Sequence, residues 1–262
     1  MILAITYGDE NFSQSNKYNL YSAKRYGKSD QTLLFGPKDL DEEFKREHKK
    51  ILEEKRGAGY WLWKPYSITK ALQTIKYGDY LVYADSGSFY TCNLNIMIEF
   101  MKKKNIELFL GELEHKEAKY SKRDAFVYLG VDTEAIANSL QYEASFILLK
   151  KTPITEKLIK EWLEKCCDIR IISDNQNTCG KNNYSEFVEN RYDQTVLSLL
   201  AKKYGITGYR PVDTLRSELY PDSDYGQIIV RTRYRNCGFI KFKCKILFKW
   251  LKYLRNNRKL GR

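Results

Sequence analysis

The run GDYLVYADSG places a single carboxylate, Asp85, at the end of an apolar stretch and follows it at once with Ser86 and Gly87. A carboxylate at a strand end can hold a divalent cation, a ribose or sugar hydroxyl, or a proton, and small residues after it let a ligand approach the backbone. Three other stretches set reactive residue types beside turns. TYGDEN offers the Thr6 hydroxyl, the Tyr7 ring and the Gly8 amide. YWLWKP sets Trp63 and Lys64 at a helix start marked by Pro65, where an ammonium beside helix N-terminal amides makes an anion clamp. RYDQTVL opens a helix on Asp193 and Gln194, a carboxylate and an amide suited either to facing a substrate or to capping the helix.

Several chemistries are excluded or disfavoured. The first loop carries no GxGxxG and no GxxxxGK[ST], so neither a Rossmann dinucleotide site nor a P-loop is indicated. Six cysteines form no CxxC pair, and the two histidines, His48 and His115, argue against a Cys/His zinc site and a histidine-dependent triad. The opening MILAITYGDE reads as a buried strand rather than a signal peptide, so free thiols in a reducing compartment are expected.

The elements that must position these groups alternate. Ile2–Tyr7, Gln31–Pro37, Tyr80–Ala84, Ile106–Gly111 and Ser145–Lys151 read as strands. Residues 13–26, 41–56, 66–76, 95–104, 155–167 and 191–206 have helical spacing or composition, and 168–189 reads as irregular. Such alternation predicts an α/β fold with a mixed, mostly parallel sheet flanked by helices, whose ligands bind beyond the carboxyl ends of the strands.

Charge divides the chain. It carries 45 Lys and Arg against 33 Asp and Glu. Residues 228–262 hold 12 basic residues and no acidic one, which leaves the first 227 residues balanced at 33 of each sign. The expected organisation is a catalytic body at 1–227 and a basic amphipathic tail at 228–262. Within FIKFKCKILFKWLKYL, Lys241, Lys245, Lys249 and Lys252 form one helical stripe and Trp250 joins an apolar face. Such a helix suits an anionic membrane surface, each basic residue contributing about 1 kcal/mol. A peripheral position on the inner, cytoplasmic face of the cell membrane is therefore expected. The competing expectation is a nucleic-acid or anionic-polymer binding protein acting through the tail; the neutral body argues against it, and no nucleic acid is expected as partner.

The order WLWKP, YADSG, KRDAF and RYDQ resembles bacterial glycosyltransferases of the GT-A fold, the kind found in capsule and lipopolysaccharide clusters, over roughly residues 1–210. The resemblance implies a Rossmann-like GT-A domain and a hexosyltransferase-type reaction. It moves a sugar from a nucleotide-activated donor, expected to be a UDP-sugar, to a hydroxyl of a lipid-linked or oligosaccharide acceptor. It implies that Thr6, Tyr7, Gly8, Trp63, Lys64, Asp85, Ser86, Gly87, Arg123 and Asp124 bind the donor. By the same resemblance Asp193 and Gln194 act with Asp85 in catalysis, Asp193 being the expected general base. The family's metal motif is Asp-x-Asp, whereas this chain has Asp85-Ser86-Gly87. Asp85 is then the metal ligand if Mg²⁺ or Mn²⁺ is used, and weak or absent metal dependence is expected, with Lys64, Arg123 and the Arg231/Arg233/Arg235 group neutralising the leaving diphosphate.

Overall fold

The computed structural model describes residues 1–214, 223, 225–232, 244, 247 and 248. Five strands, β1 (Ile2–Tyr7), β2 (Gln31–Phe35), β3 (Tyr80–Ala84), β5 (Leu108–Lys116) and β6 (Leu140–Lys150), form one sheet in the order β2-β1-β3-β6-β5. β1 runs parallel to β2 and β3, whereas β6 is antiparallel to both β3 and β5. One reversed strand among four of common direction is the mixed, mostly parallel sheet expected. A separate ribbon pairs β4 (Ser88–Tyr90) antiparallel with β7 (Ile229–Arg231).

Helices cover both faces, which explains why the central strands read as unbroken apolar runs rather than as alternating ones. Along β1, Leu3 and Ile5 face one core while Ile2 and Ala4 face the other. The first core is closed by α2 (Trp63–Gln73), α5 (Pro153–Cys166) and α6 (Asp193–Lys203), through Ile68, Leu72, Leu158, Trp162, Val196 and Leu200. The second is closed by α1 (Ser13–Arg25) and α3 (Asn95–Lys103), chiefly through Ala23, Met97, Phe100 and Met101. α4 (Arg123–Tyr128) is a short helix beside the irregular segment 173–192. The sequence marks where α5 starts: Pro153 occupies the first turn, and the Thr152 and Thr155 side chains form a capping box.

Two expectations need correction, and a third falls outside the described residues. Residues 41–56 do not make one helix: short helices at Glu42–Glu47 and Lys49–Leu52 give way to a turn. The body does not end at residue 227, because Ile228, Ile229 and Val230 are buried and β7 holds β4. The basic helix expected over 239–254 lies almost wholly outside the described residues, as do Lys241, Lys245, Lys249, Trp250 and Lys252, together with Arg233 and Arg235. Among the described residues no helix is long and apolar enough to cross a membrane.

Candidate active site

A cavity of about 790 Å³ opens at the carboxyl ends of β1 and β3, where the strands hand over to loops. Tyr7 and Gly8 follow from β1, and Tyr83, Asp85, Ser86 and Gly87 follow from β3. Trp63 reaches it from the first turn of α2, and Arg231 from β7. The turn after β3 is closed by the Ser88 amide donating to the Asp85 carbonyl at 2.8 Å. It is tied to β7 by the Thr232 amide and hydroxyl, which both donate to the Gly87 carbonyl.

Asp85 presents its carboxylate to this cavity, with a side chain 44% exposed. One oxygen, Oδ1, accepts from the Tyr83 hydroxyl at 2.7 Å and lies 3.4 Å from the Lys64 ammonium. Lys64 is buried, sits 3.1 Å from Asp193 Oδ2, and donates to the Ala144 carbonyl at 3.2 Å. One ammonium therefore bridges an exposed carboxylate and a buried one. Burial depresses the Lys64 ammonium, but the two carboxylates outweigh it and hold the group charged, with its pKa above the ordinary lysine value. Asp193 is 3% exposed, and burial pushes its carboxyl up to about 6 even though Lys64 pulls the other way.

Asp193 reaches this place at a conformational cost. The preceding Tyr192 has φ 53° and ψ −119°, a left-handed-side geometry that a residue with a Cβ rarely adopts. Residues 57–61 are stranger still: Gly57, Ala58, Gly59, Tyr60 and Trp61 all have positive φ, from 50° to 94°. Each strained non-glycine residue costs of order 1–3 kcal/mol and persists only where its surroundings over-determine it. Here they do: Tyr60 stacks on Tyr192 with centroids 5.0 Å apart, Trp61 packs against the same ring, and Trp63 Nε1 donates to the Gly57 carbonyl at 2.9 Å. The turn projects Lys55 and Arg56 to the cavity rim. Arg56 Nε donates to the Tyr192 hydroxyl at 3.1 Å, which locks the turn to the start of α6.

Electrostatically the cavity is a bowl with more basic than acidic side chains, and Asp85 is the carboxylate beside Tyr83. Lys55, Arg56 and Arg231 line it, against Asp9 and Asp85. Arg231 is held from beneath by the buried Glu143, by Asp213 Oδ2 at 2.8 Å and by the Ser145 hydroxyl. Glu143 is itself pushed up by burial, with Arg231 opposing the shift. The aromatic wall is a stack of Tyr7 on Trp63, centroids 3.9 Å apart and planes at 11°.

The expected site residues divide accordingly. Tyr7, Gly8, Trp63, Asp85, Ser86 and Gly87 line the cavity together. Lys64 lies directly behind Asp85, too buried for a ligand to touch in this conformation. The rest are corrections. Thr6 is fully buried and its hydroxyl donates to the Ala84 carbonyl at 2.8 Å, so it splices β1 to β3. The Gly8 amide is spent on the Phe35 carbonyl at 3.0 Å, which leaves the glycine's surface and not its N–H for a ligand. Gln194 donates to the Gln141 side chain at 2.8 Å and accepts from the Ala144 amide at 3.2 Å, so its carboxamide ties α6 to β6. Arg123 pairs with Asp132 at 2.9 Å and lies over the Tyr184 ring, and neither it nor Asp124 lines the cavity. The Asp124 carboxylate accepts from the Thr178 and Cys179 amides and clamps the 173–192 segment. Asp193 cannot act as the direct base expected, because it is buried and paired with Lys64.

Arg56 and Lys55 escaped the sequence reading. Their one signal was a basic pair immediately before Gly-Ala-Gly, where glycines announce unusual backbone.

The residues fit a tightly bound divalent ion poorly. Among the described residues no group of three His, Cys, Asp or Glu side chains is placed to hold one. A cation at Asp85 would meet the Lys64 ammonium on the far side of the same carboxylate.

No family model and no curated protein matches the chain. Among solved structures, the apo form of mouse xyloside xylosyltransferase 1 aligns over 90% of this chain and 99% of its own, with a TM-score of 0.45 and 11% identity. The apo WbbM bifunctional glycosyltransferase aligns over 85% of this chain and 41% of its own, with a TM-score of 0.47 and 9% identity. The likeness to both is one of backbone arrangement, and the chain spans less than half the length of the second.

Proposed function

We propose that the protein is a glycosyltransferase that moves a hexosyl group from a nucleotide diphosphate sugar, expected to be a UDP-sugar, to an acceptor hydroxyl. One observation carries the reading: a bowl at the strand carboxyl ends holds an aromatic stack, the Asp85 carboxylate and three basic side chains in one wall. The stack suits a planar base, the basic side chains a diphosphate, and the carboxylate the sugar end.

In the proposed reaction the bond between the anomeric carbon and the phosphate oxygen breaks, and the acceptor oxygen forms the new bond to that carbon. The electron pair leaves with the nucleoside diphosphate, whose growing charge Lys55, Arg56 and Arg231 stabilise from fixed positions. The acceptor proton must go to a base, and the cavity-facing Asp85 takes that role in an inverting reaction. Lys64 and Asp193 then act behind it. Together they fix the direction of the Asp85 carboxylate, and the Lys64 ammonium supplies a permanent positive charge beside it. Weak or absent dependence on Mg²⁺ or Mn²⁺ belongs to this proposal. So do a lipid-linked or oligosaccharide acceptor of cell-surface polysaccharide synthesis and attachment to the inner membrane face, which the basic and aromatic composition of residues 233–262 supports.

The experiment is a thermal-shift screen of nucleotide sugars with single-stranded nucleic acid in parallel. Stabilisation by one nucleotide sugar, lost in Asp85→Ala and Arg231→Gln, is the expected result. Stabilisation by nucleic acid alone would sink the reading.

A further inference from the structure

A second cavity of about 490 Å³ adjoins the first, and Arg56 lines both. Its chemistry differs. The charged side chains at its wall balance, Arg56 and Lys122 against Asp174 and Glu189. Lys122 is 2% exposed, and its ammonium is already satisfied by the Asn175 carbonyl at 2.8 Å and by Asp124 at 3.3 Å. The remaining wall is mostly carboxamide and aromatic, with Asn175, Asn183 and Asn190 beside Phe187, Val188 and Tyr192. Asn190 is 1% exposed, its amide hydrogens reach three backbone carbonyls, and its Oδ1 accepts no hydrogen bond among the described residues. Tyr192 joins the two cavities, accepting from Arg56 and donating to Asp174 Oδ2 at 2.6 Å.

We infer that this second cavity is a binding subsite for an uncharged saccharide, the acceptor of the proposed transfer. A wall of balanced charge offers no net attraction to an anionic polymer. Carboxamides both donate to and accept from hydroxyls, carboxylates accept from them, and an aromatic ring offers a platform for the apolar face of a sugar. The first cavity, with three basic side chains against two carboxylates at its wall, suits the anionic donor, and the second does not. The shared Arg56 and the ring of Tyr192 place the two ligands side by side, so an acceptor hydroxyl enters the first cavity from the Tyr192 side. The inference rests on the proposed glycosyl transfer for the word acceptor, but not for the saccharide chemistry.

The test is a glycan microarray carrying neutral and acidic oligosaccharides, probed with the full-length chain and with Phe187→Ala and Asn175→Ala. Nucleotide-sugar thermal shift on the same proteins reports the first cavity separately and checks that the variants are folded. The expected result is binding to neutral glycans that falls at least tenfold in both variants, with the nucleotide-sugar shift retained. An array with no neutral hit, a preference for acidic glycans, or hits unchanged in both variants overturns the subsite. If nucleotide sugars fail to bind while neutral glycans bind and respond to the variants, the subsite stands and the transferase reading falls.

Discussion

Replacing Lys64 by methionine is the most informative single change in the molecule. It keeps the length of the side chain and removes the ammonium that stands 3.1 Å from Asp193 and 3.4 Å from Asp85. Asp85 loses little, since water reaches it. Asp193 is 3% exposed and is left as a buried carboxylate without its cation. Breaking a buried pair in this way costs about 3–5 kcal/mol. At roughly 2–4 °C per kcal/mol for a chain of this size, Tm should fall by about 6–20 °C. The effect must depend on pH, and its sign follows from Asp193. Burial raises its carboxyl above the unfolded value to about 6, so the native state holds a proton that the unfolded chain releases earlier. That contribution is fully present below about pH 4 and is lost as pH rises through 6. Without Lys64 the carboxyl rises further, so Lys64→Met should be mildly destabilised at pH 5 and severely at pH 8. Urea unfolding at both pH values measures this, with Lys64→Met/Asp193→Asn as the second arm. The double variant should regain at least about 1.5 kcal/mol at pH 8, the coupling expected of residues in direct contact. Equal loss at both pH values, or a double variant no more stable than the single one, refutes the ion-pair account.

Further outcomes follow from the same geometry. Gly57→Ala should lose well over 1 kcal/mol by chemical denaturation, because φ is 62° and the new Cβ would lie 2.1 Å from the Trp61 ring. Gly78→Ala, with φ 91° and open space around it, should lose only about 1 kcal/mol, and equal losses at the two sites would contradict the packing described. Trp63 stacks on Tyr7 in the cavity wall, so a bound nucleotide sugar should quench tryptophan emission, and Trp63→Phe should remove most of that change. Glu143→Gln removes the buried partner of Arg231 and should weaken nucleotide-sugar binding about tenfold in calorimetry, with no comparable change in affinity for neutral glycans. Chelation with EDTA should leave transfer within a fewfold of its starting rate; complete loss, restored by Mn²⁺, would contradict the role given to Lys64.

Much of the fold could be read from the chain because the central strands are buried on both faces and therefore appear as uninterrupted apolar runs. Asp85 was legible for the same reason: one carboxylate ending such a run must sit where the strand leaves the sheet. Asp193 was legible as a helix opener but not as a buried group. Its burial is set by Lys64 and by a strained Tyr192, and neither a long-range pair nor a positive φ is written in local sequence. Gln194 and Thr6 looked like binding groups because their types bind ligands, yet each is consumed by a neighbouring strand, Thr6 by the Ala84 carbonyl and Gln194 by the Gln141 side chain and the Ala144 amide. Arg123 and Asp124 were drawn in with the motif around them, whereas their partners, Asp132 and the 178–179 amides, show a clamp on the irregular segment. Arg231 was available to the sequence reading only as one of a basic group. A three-residue strand pairing with another of three residues across 140 positions of chain is too short to leave a periodic signal, and it is this ribbon that brings the arginine to the cavity.

The central claim is that the bowl beyond β1 and β3 binds a nucleotide diphosphate sugar through Arg56, Arg231 and Asp85. Isothermal titration of the full-length chain with a panel of nucleotide sugars in EDTA tests it most directly. The account predicts saturable binding of at least one of them without added metal, weakened tenfold or more in each of Arg56→Gln, Arg231→Gln and Asp85→Ala. Absence of binding across the panel, or binding that all three variants leave unchanged, would contradict it.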